Sequence, residues 1–128
     1  VKPTLKRRLL WAAATDATFE RMVAPGGTVL MGRCIHCQRR LSLHLDGVPI
    51  SRVTLEHIVP RTHGGTDAAD NLALACAGCN GAKGRRLDCR PLDDPDLQRV
   101  IGILQGRRAE RWREPPSDWD LPPPPPGW

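Results

Sequence analysis

Four of the chain's five cysteines fall in two pairs of equal spacing, Cys34-Ile-His-Cys37 and Cys76-Ala-Gly-Cys79. Two residues between the members of a pair let a tight turn aim both thiolates at one point. Two such knuckles complete a tetrahedral S4 set suited to zinc. With every position filled by sulfur there is no open site, so this Zn2+ is expected to be structural. An odd cysteine total in a chain without secretion features argues against a disulfide framework. Cys89 lies outside the pattern and is read as a plain core or surface thiol. His36, inside the first knuckle, is an alternative ligand but is expected to point away from the metal. The 38 residues between the knuckles are more than a simple ribbon needs, so something is inserted there.

The insertion carries Leu55-Glu56-His57-Ile58-Val59-Pro60-Arg61-Thr62-His63-Gly64-Gly65-Thr66-Asp67, then Asp70-Asn71-Leu72. The second knuckle runs on into Asn80-Gly-Ala-Lys83-Gly84. This order of a His57 to Pro60 strand end, a Gly64-Gly65 loop, an Asn-Leu and two zinc knuckles resembles the HNH endonuclease family. These are the ββα-metal or treble-clef nucleases, here in the variant ending in Cys-Asn. The resemblance covers about Cys34 to Arg86, under half of the chain.

It implies that His57 is the general base, that Glu56 and Asn80 hold a catalytic divalent metal, and that Asn71 fixes the loop carrying His57 by bonding its backbone. Phosphodiester hydrolysis needs such parts: a deprotonated water, a cation for the phosphorane charge, and help for the leaving 3′-oxygen. Oxygen ligands suit a hard ion, so Mg2+ or Mn2+ is expected, with Ni2+ or a second Zn2+ as alternatives. Neighbours on a strand point to opposite faces, so Glu56 and His57 reach one site only if the strand twists or ends there. Cys79 and Asn80 stand about 100° apart on a helix, so one can bind zinc while the other faces a phosphate. Two positions depart from the family pattern. Asn80 replaces a histidine, and Glu56 stands where aspartate is common. Lys83, Arg85 and Arg86 follow closely and, with Arg61 on the loop, are read as phosphate contacts.

The elements that must position these groups are read from periodicity. Leu5, Leu9, Ala12, Phe19, Met22 and Val23 fall at mostly helical offsets, predicting an N-terminal helical segment over residues 1–30, with Asp16 capping a second helix. Leu41, Leu43 and Leu45 alternate with polar residues up to Asp46-Gly47, predicting a hairpin whose returning strand is Val53 to Val59. Residues 70–86 read as a loop entering a glycine-weakened helix that zinc must hold. Together with the knuckles these make a core over residues 31–92. Asp94 caps and Pro95 starts a helix in residues 93–113, with Leu97, Val100, Ile101 and Leu104 on one stripe and Arg107, Arg108, Arg111 and Arg113 as its basic end. Residues 114–128 hold seven of the 13 prolines and predict an extended tail, whose Trp119 and Trp128 suit docking on a partner protein or on its own domain. The fold class is α+β, a small zinc-stapled ββα core with flanking helices.

With 128 residues the chain fits one domain. Lys+Arg exceeds Asp+Glu by 19 to 14, which favours a polyanionic partner. At 4% aromatic residues a surface for stacking single-stranded bases is hard to build, so a mode that reads the nucleic-acid backbone is expected, and the family resemblance implies double-stranded DNA as the partner. No apolar run is long enough for a membrane span, and a soluble cytoplasmic protein is expected. The expected function is metal-dependent nicking of DNA with little sequence specificity. The alternatives are a non-catalytic zinc-dependent nucleic-acid-binding module and an RNA-directed nuclease.

Overall fold

The computed structural model describes residues 1–128. Helix α1 (Pro3–Ala14) opens on a proline at its first turn and buries Leu9, Leu10, Ala12, Ala13 and Ala14. Strands β1 (Glu20–Ala24), β2 (Gly27–Arg33) and β3 (Arg40–His44) follow and pair antiparallel in the order β1-β2-β3. A second antiparallel pair joins β4 (Val53–His57) to β5 (Leu72–Cys76), and α2 (Ala77–Lys83) leads out of β5 through Cys76. A π-helical turn covers Gly84–Asp88, and α3 (Pro95–Arg111) closes the domain. The architecture is mixed α and β, with β4, β5 and α2 as its ββα unit.

Three expectations about elements are corrected. The N-terminal helical segment ends at Ala14: residues 20–33 are strands, and Pro25-Gly26 is the turn between them. Phe19 explains the change. Its ring is fully buried on β2, where a Cβ at Gly32 would stand 2.3 Å from it, so the aromatic stacks on bare backbone across the sheet. Asp16 caps no second helix; its carboxylate accepts hydrogen bonds from the Thr18 N–H and hydroxyl in a tight turn. The strand after the first knuckle pairs with β2, Leu43 opposite Leu30, whereas β4 pairs with β5, Leu55 opposite Leu74. β5 is buried along its whole length and so lacks the alternation that marks a strand in sequence.

The basic end of α3 faces inward. Arg113 donates to the Ala13, Ala14 and Phe19 carbonyls, and so caps the Ala14 carbonyl at the end of α1. Arg108, 2% exposed, donates to the Thr15 hydroxyl and carbonyl and to the Ala69 carbonyl, and burial pulls its guanidinium down to about 10. Arg107 donates to the Ile35 and His36 carbonyls and Arg111 to those of Arg33 and Cys34. These cations clamp the first knuckle to α3 and form no solvated basic patch.

Residues 114–128 carry no helix or strand and lie back across the domain. Trp119 receives the Arg21 and Arg113 guanidinium groups at 5.9 and 5.1 Å from its ring. Trp11 donates to the Pro122 carbonyl at 3.0 Å and meets Trp128 edge-on at 6.2 Å. Both tail tryptophans are thus engaged within the chain. No helix is long and apolar enough to cross a membrane.

Candidate functional site

The four knuckle sulfurs lie within 4.8 Å of one another. A tetrahedron of zinc–sulfur bonds of about 2.3 Å has sulfur–sulfur edges of about 3.8 Å, so the cage fits zinc with little adjustment. The Cys76 and His36 N–H groups donate to Cys34 Sγ, and the Cys79 N–H to Cys76 Sγ, the bonding that thiolates want. Burial pushes the Cys34 and Cys79 thiols up. A cation in the cage would reverse that. Cys89, by contrast, is exposed and outside the cage.

An ion in the cage would fasten the N-terminus of α2, and α2 presents Asn80 and Lys83 three residues apart toward β4. Asn80 Nδ2 donates to Thr54 Oγ1 and the Leu55 carbonyl at 3.0 and 3.2 Å, leaving Oδ1 unengaged. His57 ends β4 and, with Asn80, Arg61, Thr62 and Asp88, lines a shallow cavity of about 260 Å³. Its Nε2 lies 2.7 Å from Asp67 Oδ1.

Asn71 holds the turn after His57. Its Oδ1 accepts from the Val59 N–H at 2.8 Å, and its Nδ2 donates to the Val59 and Thr66 carbonyls at 3.1 and 2.8 Å. The chain then doubles back so closely that a Cβ on Gly65 would stand 1.8 Å from the Val59 carbonyl oxygen. Gly65→Ala must therefore move backbone, and a destabilisation of about 1–3 kcal/mol is expected. Gly102→Ala, in open space on α3, serves as the neutral-to-stabilising control. Thermal unfolding of the two proteins reads the difference; equal melting temperatures would refute the close-packed loop.

Glu56 is placed differently from His57. It shares with Thr54 the face of β4 turned to α2, is 0% exposed, and stays outside the cavity lining. Its Oε1 bonds His36 Nε2 at 2.9 Å and stands 3.6 Å from Lys83 Nζ, while Oε2 is buried without a partner. Regular pairing persists to His57 opposite Leu72, so no twist brings both neighbours to one face. The structure thus joins His57 with Asn80 and leaves Glu56 beneath them. An orphaned buried carboxylate oxygen beside α2 is costly unless a proton or cation meets it.

Of the expected phosphate contacts, Lys83 is corrected. It is 4% exposed and donates to Asp88 Oδ1 at 2.8 Å and to the His57 carbonyl at 3.2 Å. One helical turn from Asn80, it follows that residue inward. Arg85 and Arg86 are exposed and form no ion pair, whereas Arg61 is exposed but bonded to Asp67. Sequence reasoning gave no role to Asp67, Asp88 or Arg8. Asp67 stood inside the quoted loop, but only the loop's return makes it a neighbour of His57.

A thiolate cage beneath a histidine-lined cavity on a ββα unit is the geometry against which known families can be compared. Residues 34–86 match the HNH endonuclease family model. The match begins at the first knuckle cysteine and ends just past α2, so this HNH domain contains both knuckles, His57, Asn71 and Asn80. It spans under half of the chain and gives it a domain of nuclease type. No curated protein and no solved structure matches the chain. Helices α1 and α3, strands β1 and β2 and the tail lie outside the HNH match.

Proposed function

We propose that the protein is a metal-dependent endonuclease that hydrolyses DNA phosphodiester bonds one strand at a time. The observation that supports this most is the cavity shared by His57 and Asn80, whose floor is tied to the thiolate cage and whose His57-bearing turn is tied down by Asn71. His57 takes a proton from a water; the resulting hydroxide attacks phosphorus, and the bond to the 3′-oxygen breaks. Asn80 Oδ1, on the cavity wall, is the protein oxygen that would hold Mg2+ or Mn2+ with water and phosphate oxygens, whereas Glu56, which the resemblance gives as a ligand, is buried outside that cavity. When bound, that ion supplies positive charge to the phosphorane and the departing oxygen. Arg85 and Arg86 supply exposed cations for the flanking phosphates.

One ββα unit offers one base, so a single copy nicks and leaves the second strand whole. The substrate test sets supercoiled plasmid, single-stranded DNA and RNA side by side in Mg2+ and in Mn2+. Conversion of plasmid to open circle ahead of the other two is expected. Cleavage of RNA with the plasmid left intact would replace the DNA reading with the RNA one.

A further inference from the structure

We propose that Asp67 is the positioning residue for His57: its carboxylate accepts a hydrogen bond from Nε2–H, which keeps that proton on Nε2 and leaves Nδ1 as the atom that takes the proton from water. The proposal rests on the nuclease reading of His57 for its catalytic consequence, though not for its geometry. A neutral imidazole carries one proton, and the partner of one nitrogen decides which. Asp67 Oδ1 stands 2.7 Å from Nε2. The Arg61 Nε–H also approaches Nε2, at 3.2 Å, but a protonated nitrogen cannot accept it, and the shorter carboxylate contact prevails.

The carboxylate is built to stay anionic and still. Arg8 Nη2 donates to Oδ2 at 3.1 Å and Arg61 Nη2 to Oδ1 at 3.0 Å. The His57 bond first, then the Arg61 bond and the Arg8 charge, hold Asp67 below the usual carboxylate range. The backbone is held as well. Trp128 Nε1 donates to the Asp67 carbonyl at 3.1 Å, and Asn71 Nδ2 to that of Thr66. Asn71 thereby fixes Val59 and Thr66 together, so His57 and Asp67 share one anchor. Two of the holders, Arg8 in α1 and Trp128 in the tail, lie outside the HNH match. The flanking segments complete the site.

Asp67→Asn, Asp67→Glu and wild type are compared for plasmid nicking, zinc content and melting temperature. The asparagine variant presents an amide able to donate as well as accept, so the ring loses its fixed tautomer. Its kcat is expected to fall at least about tenfold. KM, zinc content and melting temperature should change little, and Asp67→Glu should recover part of kcat. Nitrogen-15 NMR of the His57 ring in alkaline buffer should show the Nε2–H tautomer in wild type and a mixture in Asp67→Asn. Nicking by Asp67→Asn at the wild-type rate, or a wild-type ring protonated on Nδ1, would overturn the proposal. If wild type nicks nothing, the nuclease reading fails, and the NMR tautomer still decides whether Asp67 positions the ring.

Discussion

Stripping zinc with a chelator, or replacing Cys76 by serine, is expected to unfold the centre of the protein rather than merely loosen it. A structural zinc contributes an apparent ~10–16 kcal/mol to a small fold, against a total stability of ~5–15 kcal/mol for ordinary domains. The position of the cage raises the stake. Cys76 ends β5 and caps α2, and its sulfur accepts from the Cys79 N–H. Helix α2 is seven residues long with Gly78 and Gly81 inside it, far below the length at which an isolated helix persists. Without the metal, α2 keeps the contacts of Asn80 and Lys83 to β4, the Lys83–Asp88 pair and the Ala77 N–H bond to the Arg52 carbonyl, too few to hold so short and glycine-rich a helix. Far-UV circular dichroism with and without chelator, alongside zinc analysis by mass spectrometry, reads this directly. A fully metal-free protein with an unchanged melting temperature would refute a structural role for the cage.

The parts that were legible in the sequence are those whose signal is local. The Cys34–Cys37 and Cys76–Cys79 spacings predict the cage, and Asp94-Pro95 predicts the start of α3, where the Asp94 carboxylate accepts from the Leu97 N–H at 3.0 Å. The illegible parts depend on partners distant in the chain. Met22 and Val23 keep helical spacing from α1, yet they sit on an exposed edge strand set by Phe19 on Gly32. Leu72–Cys76 is apolar throughout, and only its burial on both faces makes it a strand. The arginines after Gly106 look like a solvated end because a carbonyl acceptor leaves no mark on composition. Charge alone likewise could not tell that Lys83 is spent on Asp88 while Arg85 and Arg86 are free. At the site, the Cys-Asn ending pointed to Asn80, whereas the depth of Glu56 and its bond to His36 follow from how β4 meets the first knuckle.

His57→Ala should lose at least about a hundredfold of the nicking rate, since a positioned general base contributes typically ~10²–10⁴-fold. Several features of the site make a larger structural effect unnecessary. The side chain is partly exposed on the cavity wall, while the strand it ends is held by backbone pairing to Leu72 and by Lys83 on its carbonyl, neither of which the substitution removes. Binding should survive, because Arg85 and Arg86 lie apart from the imidazole and stay exposed. Removing His57 does leave Asp67 without its closest partner, but Arg8 and Arg61 still neutralise that carboxylate. The loss should therefore appear in the chemical step. The decisive measurement is a time course of supercoiled plasmid in Mn2+ with wild type and His57→Ala at equal zinc content and equal bound fraction. Wild type should convert the plasmid to open circle while His57→Ala holds it without cutting; equal rates of conversion by the two proteins would contradict the assignment of His57 as the base.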